Sequence, residues 1–181
     1  MSPYGREVIH RLVPDLVRAG LTIVSGLAYG VDAEAHRVML DSGGKGIVVL
    51  GGALNRLYPA SHTSLKQTLV ASGSLVVTEY PPGTPPRNYY FPERNRIIAG
   101  LSQVTLIVEA GEKSGTLSTA QAALEANQVV CVVPGDISRE GSLGVLKLLR
   151  QGAVPVATVA DILEQYVVPR AVVVERIGCQ G

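Results

Sequence analysis

IVVLGG, Ile47 to Gly52, is a run of aliphatic residues that ends on two glycines. It is too short and too β-branched for a helix, and it is apolar on both faces, as a strand buried inside a parallel sheet must be. Four more runs of this kind flank it: TIVSG (Thr22 to Gly26), LVVTE (Leu75 to Glu79), TLIVEA (Thr105 to Ala110) and VVCVVPG (Val129 to Gly135). A weaker sixth, VPVA, follows Ala153. Between them the spacing predicts helices near 5–19, 32–42, 61–72, 93–101, 116–126 and 142–151. Asp32 is the expected N-cap of the second, and Gly20, Gly43 and Gly73 stand where C-caps belong. Strand and helix alternating in this way require right-handed crossovers.

That pattern predicts an α/β fold: a doubly wound, mostly parallel, Rossmann-like sheet with helices on both faces. At 181 residues the chain is long enough for one sizeable core, divided here into a domain over 1–166 and a tail over 167–181, an edge strand, a dimer contact or a fraying end. Such a sheet usually opens with a strand and a glycine turn. This chain instead enters a helix directly after Met1-Ser2-Pro3-Tyr4-Gly5, so either the gene product is short at its N-terminus or the sheet lacks that strand. The formal net charge is +1, which excludes a global field for holding duplex DNA and restricts any polyanion site to a local concentration of charge. Two cysteines, Cys131 and Cys179, make no disulfide framework and fit a reducing cytoplasm. No run approaches the ~18 apolar residues of a membrane span, so a soluble cytoplasmic protein is expected.

The local concentration of charge lies between Arg87 and Arg96, with three arginines against one glutamate. Within FPERNRIIAGLS, Phe91 to Ser102, the residues Arg94, Asn95 and Arg96 offer planar donors suited to phosphate oxygens. Phe91, Tyr89 and Tyr90 offer faces on which unpaired bases stack. The competing reading is that the arginines pair with Glu93 or Glu79 and the rings fill a groove. Arg94 and Arg96 are two positions apart and point about 200° apart on a helix. One is therefore expected to hold nucleic acid and the other to brace the loop through Glu79 or Glu109. In doubly wound sheets ligands bind at the strand carboxyl ends, here Ser25-Gly26, Gly51-Gly52, Thr78-Glu79-Tyr80, Glu109-Ala110-Gly111 and Pro134-Gly135. KSGTLSTA, Lys113 to Ala120, adds Ser114, Gly115 and Thr116 at the opening of a helix, an anion site or an ordinary cap.

Other patterns point away from chemistry. No Walker loop, G-x-G-x-x-G or G-x-S-x-G occurs. Asp32 and His36 share a helix face but find no third metal ligand, so a half-buried His36 is expected. His10 and His62 read as isolated and exposed, and Glu79 with Glu109 is a weak candidate for an acid/base pair.

Read in order, the motifs resemble the DNA-processing protein A family (DprA, also called Smf). They are SGLAYGVDAEAH (from Ser25), GIVVLGGALNRLYP (from Gly46), VTEYPPGTPP (from Val77), FPERNRIIAGLS, VEAGEKSGTLSTAQAALE (from Val108), VVPGDI (from Val132) and LLRQGA (from Leu148). The resemblance covers about residues 2–165. It implies a Rossmann-like domain that binds single-stranded DNA, forms a homodimer and hands the strand to the RecA recombinase in natural transformation and recombination. It implies no catalysis, no cofactor and no metal. Arg94, Asn95 and Arg96 match the family's Arg-Asn-Arg, Phe91 its aromatic, and Arg87 a common basic position. Ser25, Gly26, Gly51, Ser114 and Gly115 match its glycine and hydroxyl turns. The chain departs in lacking the family's Gly-Ser-Arg turn before Ser2, in Tyr29 where an arginine is usual, in Leu146 where an asparagine is customary, and in having no winged-helix tail. The element from Glu109 to Ala120 also resembles, distantly, the lysine-decarboxylase-like phosphoribohydrolases, enzymes that cleave nucleoside monophosphates. Their Pro-Gly-Gly is replaced here by Gly111-Glu112-Lys113, and the nearest helix acid is Glu125.

Overall fold

The structure is a computed structural model that describes residues 1–112 and 114–166. The chain runs through α1 (Pro3–Arg18), β1 (Ile23–Ser25), α2 (Val31–Asp41), β2 (Gly46–Val49), α3 (Thr63–Ala71), β3 (Leu75–Val77) and α4 (Tyr90–Gly100). It continues through β4 (Val104–Ile107), α5 (Thr116–Glu125), β5 (Val129–Val132), α6 (Glu140–Arg150), β6 (Val154–Pro155) and α7 (Val159–Leu163). The α/β alternation is as the apolar runs predict. The tail over 167–181 lies outside the described residues.

Among the described residues every strand pairing is parallel, but the strands form two sheets of three, ordered β1-β2-β3 and β4-β5-β6. Among the described residues no strand joins β1 to β4. Alternating side chains along β5 show why both faces need helices. Cys131 and Val133 enter a core with α1, α2, α3 and α7, whereas Val130 and Val132 enter a second core with α4, α5 and α6. The first core draws on both sheets, Val48 and Leu50 from one and Val108 and Cys131 from the other.

Local sequence accounts for the helix ends. Ser2 caps α1 by accepting a hydrogen bond from the Gly5 N–H at 3.0 Å, with Pro3 in the first turn. Gly20, Gly43 and Gly73 have φ of 80°, 74° and 84°, the left-handed conformation that closes a helix.

Expectations for four residues are corrected. Asp32 does not cap α2; Gly30 holds that position, and the Asp32 carboxylate accepts the Gly26 and Ala28 N–H groups at 3.1 and 3.3 Å. His62 is buried, its Nδ1 bonded to the Leu27 carbonyl at 2.9 Å, and His10 is not isolated, because its Nε2 meets Glu34 at 2.8 Å. His36 is fully buried rather than half-buried, and neither ring nitrogen has a hydrogen-bond partner.

Burial pushes the His36 imidazole down to about 4, against the opposing pull of Asp32. The folded state therefore resists protonating a group that the unfolded chain protonates below about pH 6.5. The stability that neutral His36 contributes should be complete above that pH and lost progressively down to pH 4, on the order of 3 kcal/mol in all. Thermal melts across that range should show the loss, and His36→Leu should flatten the part of the slope that His36 carries.

Candidate nucleic-acid interface

The first turns of α4 hold the Arg94-Asn95-Arg96 triplet over the carboxyl ends of β1 and β2. Arg94 turns inward and is only 4% exposed. Its Nη1 donates to the Gly26 carbonyl at 2.9 Å and to the Val49 carbonyl, and its Nε donates to Asn95 Oδ1 at 3.1 Å. Burial lowers the pKa of the guanidinium, while Asp32 and Tyr80 pull the other way. Arg94 is thus a brace of the strand ends, and its partners are carbonyls rather than either predicted carboxylate. Asn95 continues the tie on the other side: its Nδ2 donates to Ser118 Oγ at 2.8 Å on α5. Arg96 points out and pairs with Glu79, at the end of β3, one of the two acids expected.

Phe91 is half-buried, its ring against the backbone of Gly51 and 5.5 Å from the Tyr58 ring. A Cβ on Gly51 would stand 2.7 Å from Phe91 Cδ1, so that approach needs glycine. Gly26 is held likewise, since a Cβ there would collide with the Arg94 guanidinium. At the start of α5 the Ser114 hydroxyl accepts the Thr116 N–H at 3.2 Å and donates to Thr116 Oγ1 at 3.0 Å, around the N-cap Gly115.

Ser25, Gly26, Phe91, Arg94 and Asn95 line one cavity of about 1150 Å³, together with Ser114, Gly115 and Thr116. Arg87, Arg96 and Gly51 are not among the residues lining it. The cavity is not a strongly cationic hole, because Asp32 and Glu109 line it beside the buried Arg94. Glu109 accepts the Ser2 N–H at 3.0 Å and the Ser2 hydroxyl at 2.7 Å. Glu79 and Glu109 are therefore engaged separately, one by Arg96 and one by the start of α1, and form no acid/base pair. Glu125 sits at the far end of α5, bonded to Gln121 at 3.0 Å and away from the cavity.

Sequence reasoning missed part of an aromatic cluster around the start of α4. Tyr80 and Tyr90 stack with centroids 4.0 Å apart, Tyr89 meets Tyr90 edge-on at 4.7 Å, and the Arg87 guanidinium lies 5.9 Å over Tyr89 and 6.0 Å over Tyr90. Arg87 also donates to the Tyr89 oxygen at 2.8 Å. The Tyr80 phenol donates to Glu93 at 3.2 Å and is pushed up to about 12 by burial and by that carboxylate. Tyr58 and Tyr80 each lie next to a proline, and that repeated Tyr-Pro pairing was the available signal.

A family model described as DNA recombination-mediator protein A matches residues 1–167. The chain belongs to this family. Protein Smf of Escherichia coli strain K12 is 44% identical over 163 residues, which cover 90% of this chain and 44% of the E. coli protein. The X-ray structure of DNA processing protein A from Streptococcus pneumoniae superposes with a TM-score of 0.85 at 37% identity, covering 92% of this chain and 58% of that one. The DNA processing protein A of Helicobacter pylori, solved for its single-stranded DNA binding mode, gives a TM-score of 0.81 at 29% identity, over 91% of this chain and 74% of that one. The chain spans about half the length of the curated relatives it matches. Among the described residues no helix is long and apolar enough to cross a membrane.

The two arginines should separate in mutagenesis. Arg94→Ala leaves buried strand-end carbonyls without donors and should cost about 2–4 kcal/mol of stability in denaturant melts. Arg96→Ala removes an exposed pair and should cost less than about 1 kcal/mol.

Proposed function

We propose that this family member binds single-stranded DNA without performing chemistry on it, and that residues 1–166 are its DNA-binding domain. One observation carries the reading: an exposed arginine, Arg87, lies over the rings of Tyr89 and Tyr90, the residues that lead directly into the cavity-lining Phe91. Unpaired bases offer π-faces to such rings and phosphates offer oxygens to the guanidinium, whereas a duplex hides its faces. Arg87, Arg96 and Phe91 are the proposed contacts with the strand. Arg94 and Asn95 fix the surface that presents them, and Ser25, Gly26, Gly51, Ser114, Gly115 and Thr116 shape the backbone and hydroxyl wall beside it. The relative from H. pylori, which is described as binding single-stranded DNA, supports this assignment.

The finer reading is a cytoplasmic homodimer that protects incoming DNA and loads RecA during natural transformation and recombination. A formal net charge of +1 favours a dimer, because one pocket with few cations binds weakly and two pockets on one strand gain from effective concentration.

Fluorescence anisotropy tests the proposal. A single-stranded oligonucleotide should bind about tenfold or more tighter than the matched duplex, given roughly 1–3 kcal/mol of stacking per base. Two phosphate contacts, from Arg87 and Arg96, give a logarithmic salt slope of about −1.4 for a short strand, roughly doubled for one that spans two pockets. Arg87→Ala with Arg96→Ala should weaken binding at nearly unchanged melting temperature. Equal affinity for the two DNA forms would remove the stacking argument, and release of adenine from AMP would replace this reading with the phosphoribohydrolase one.

A further inference from the structure

Three aromatic rings line the cavity that also holds Ser25, Gly26 and Arg94: Tyr29, Tyr58 and Phe91. Tyr29 is 66% exposed and Tyr58 55%, so both stand at the cavity's mouth rather than in its floor. Tyr58 lies 5.5 Å from Phe91 between ring centres, at a tilt of 48°. Tyr29 is held from beneath: its ring meets His62 edge-on at 5.1 Å, and its hydroxyl is 3.1 Å from Ser61 Oγ. His62 is itself buried, with Nδ1 bonded to the Leu27 carbonyl at 2.9 Å. Leu27 is a bulky, fully buried residue with φ 56°, in the left-handed region that favours glycine. The turn that leads to Tyr29 is therefore strained, and its visible product is an exposed ring fixed in place. Tyr58, Ser61 and His62 all belong to the segment between β2 and α3, so one segment presents the second ring and braces the first. Among the described residues lining the cavity, Arg94 is the only lysine or arginine, and it is buried.

We propose that Tyr29 and Tyr58 are base-contacting residues, which extend the stacking surface of Phe91 across the cavity mouth and hold unpaired bases by ring contact rather than by charge. The inference rests on the single-stranded DNA reading above and adds two contacts to it. Phe91 alone is a limited platform, because it is half-buried against Gly51, whereas Tyr58 beside it is open. A ring fixed before binding loses little conformational freedom when a base settles on it, and the Ser61 and His62 contacts give Tyr29 that property. Because every base has a π-face, such a mouth accepts bases without reading their edges. Arg87 and Arg96 lie outside the cavity lining, so phosphates and bases are served by different residues. Losing a ring should therefore lower affinity at constant salt slope, whereas losing either arginine should reduce the slope by about 0.7.

An abasic oligonucleotide tests this, since it keeps the phosphates of a natural strand and lacks the bases. Fluorescence anisotropy is measured for a natural single strand and for one of equal length with a central abasic run, over a range of salt. Tyr29→Ala and Tyr58→Ala should each weaken the natural strand about fivefold or more and the abasic strand less than about twofold. Tyr29→Phe and Tyr58→Phe, which keep the ring, should bind the natural strand within about twofold of the unaltered protein. The chain has no tryptophan, so Tyr29→Trp and Tyr58→Trp each place a single reporter at the mouth. The natural strand should quench that fluorescence and the abasic strand should not, which decides the matter should an alanine variant fail to fold. Unchanged affinity in the alanine variants, equal loss on both strands, or an unquenched tryptophan would overturn the inference. If the unaltered protein binds single strands through Arg87 and Arg96 while the ring variants lose nothing, this inference alone fails. If it binds no single strand at all, the single-stranded DNA reading fails and takes the inference with it.

Discussion

The Arg94 guanidinium inserted among strand-end carbonyls is the constraint on which the site depends. At the carboxyl ends of parallel strands the last carbonyls have no following turn to satisfy them, and here those of Gly26 and Val49 converge on one cation. A buried charge is tolerated only when its donors are engaged, so the position of α4 over β1 and β2 is fixed within hydrogen-bonding tolerance. Helical geometry then dictates the rest. With Arg94 inward, Arg96 must face solvent and meets Glu79, while Phe91, one turn back, lies over Gly51 at the cavity mouth.

This arrangement separates affinity from architecture. The triplet has the composition of a phosphate-reading motif, yet two of its three side chains serve the scaffold, and Arg96 already has a carboxylate partner. The exposed cations of this surface that the scaffold does not use are Arg87, over the Tyr89 and Tyr90 rings, and Arg96, whose exposed ion pair contributes little to stability. With Asp32 and Glu109 balancing Arg94 inside the cavity, the proposed binding of a single strand would draw its charge attraction from Arg87 and Arg96 outside it and much of the remainder from stacking.

What the sequence revealed follows the physics of each signal. Parallel strands announce themselves by apolar runs, and helix ends by glycines, because both are local demands on the backbone; the strands and six of the seven α-helices among the described residues were legible for that reason. The inward turn of Arg94 was not, because it depends on carbonyls 45 and 68 residues away meeting over one helix. The pairing of Arg96 with Glu79 was foreseeable, since strand-end position placed the acid near α4. His62 read as a surface residue until the Leu27 carbonyl supplied its partner. The short α7 carries a signal that was present and overlooked: Thr158 and Asp161 form a capping box, in which Asp161 accepts the Thr158 N–H at 2.8 Å.

Adjacent residues on α4 also join the two sheets. Arg94 is bonded to the ends of β1 and β2, and Asn95, through Ser118, is bonded to α5, which packs on β4 and β5. The start of α1 makes a second tie, with Ser2 on Glu109 and the Tyr4 hydroxyl on the Pro134 carbonyl at 2.7 Å. Both ties lie at the carboxyl ends of the strands. The spacing of the two sheets is therefore set most firmly where the candidate site lies.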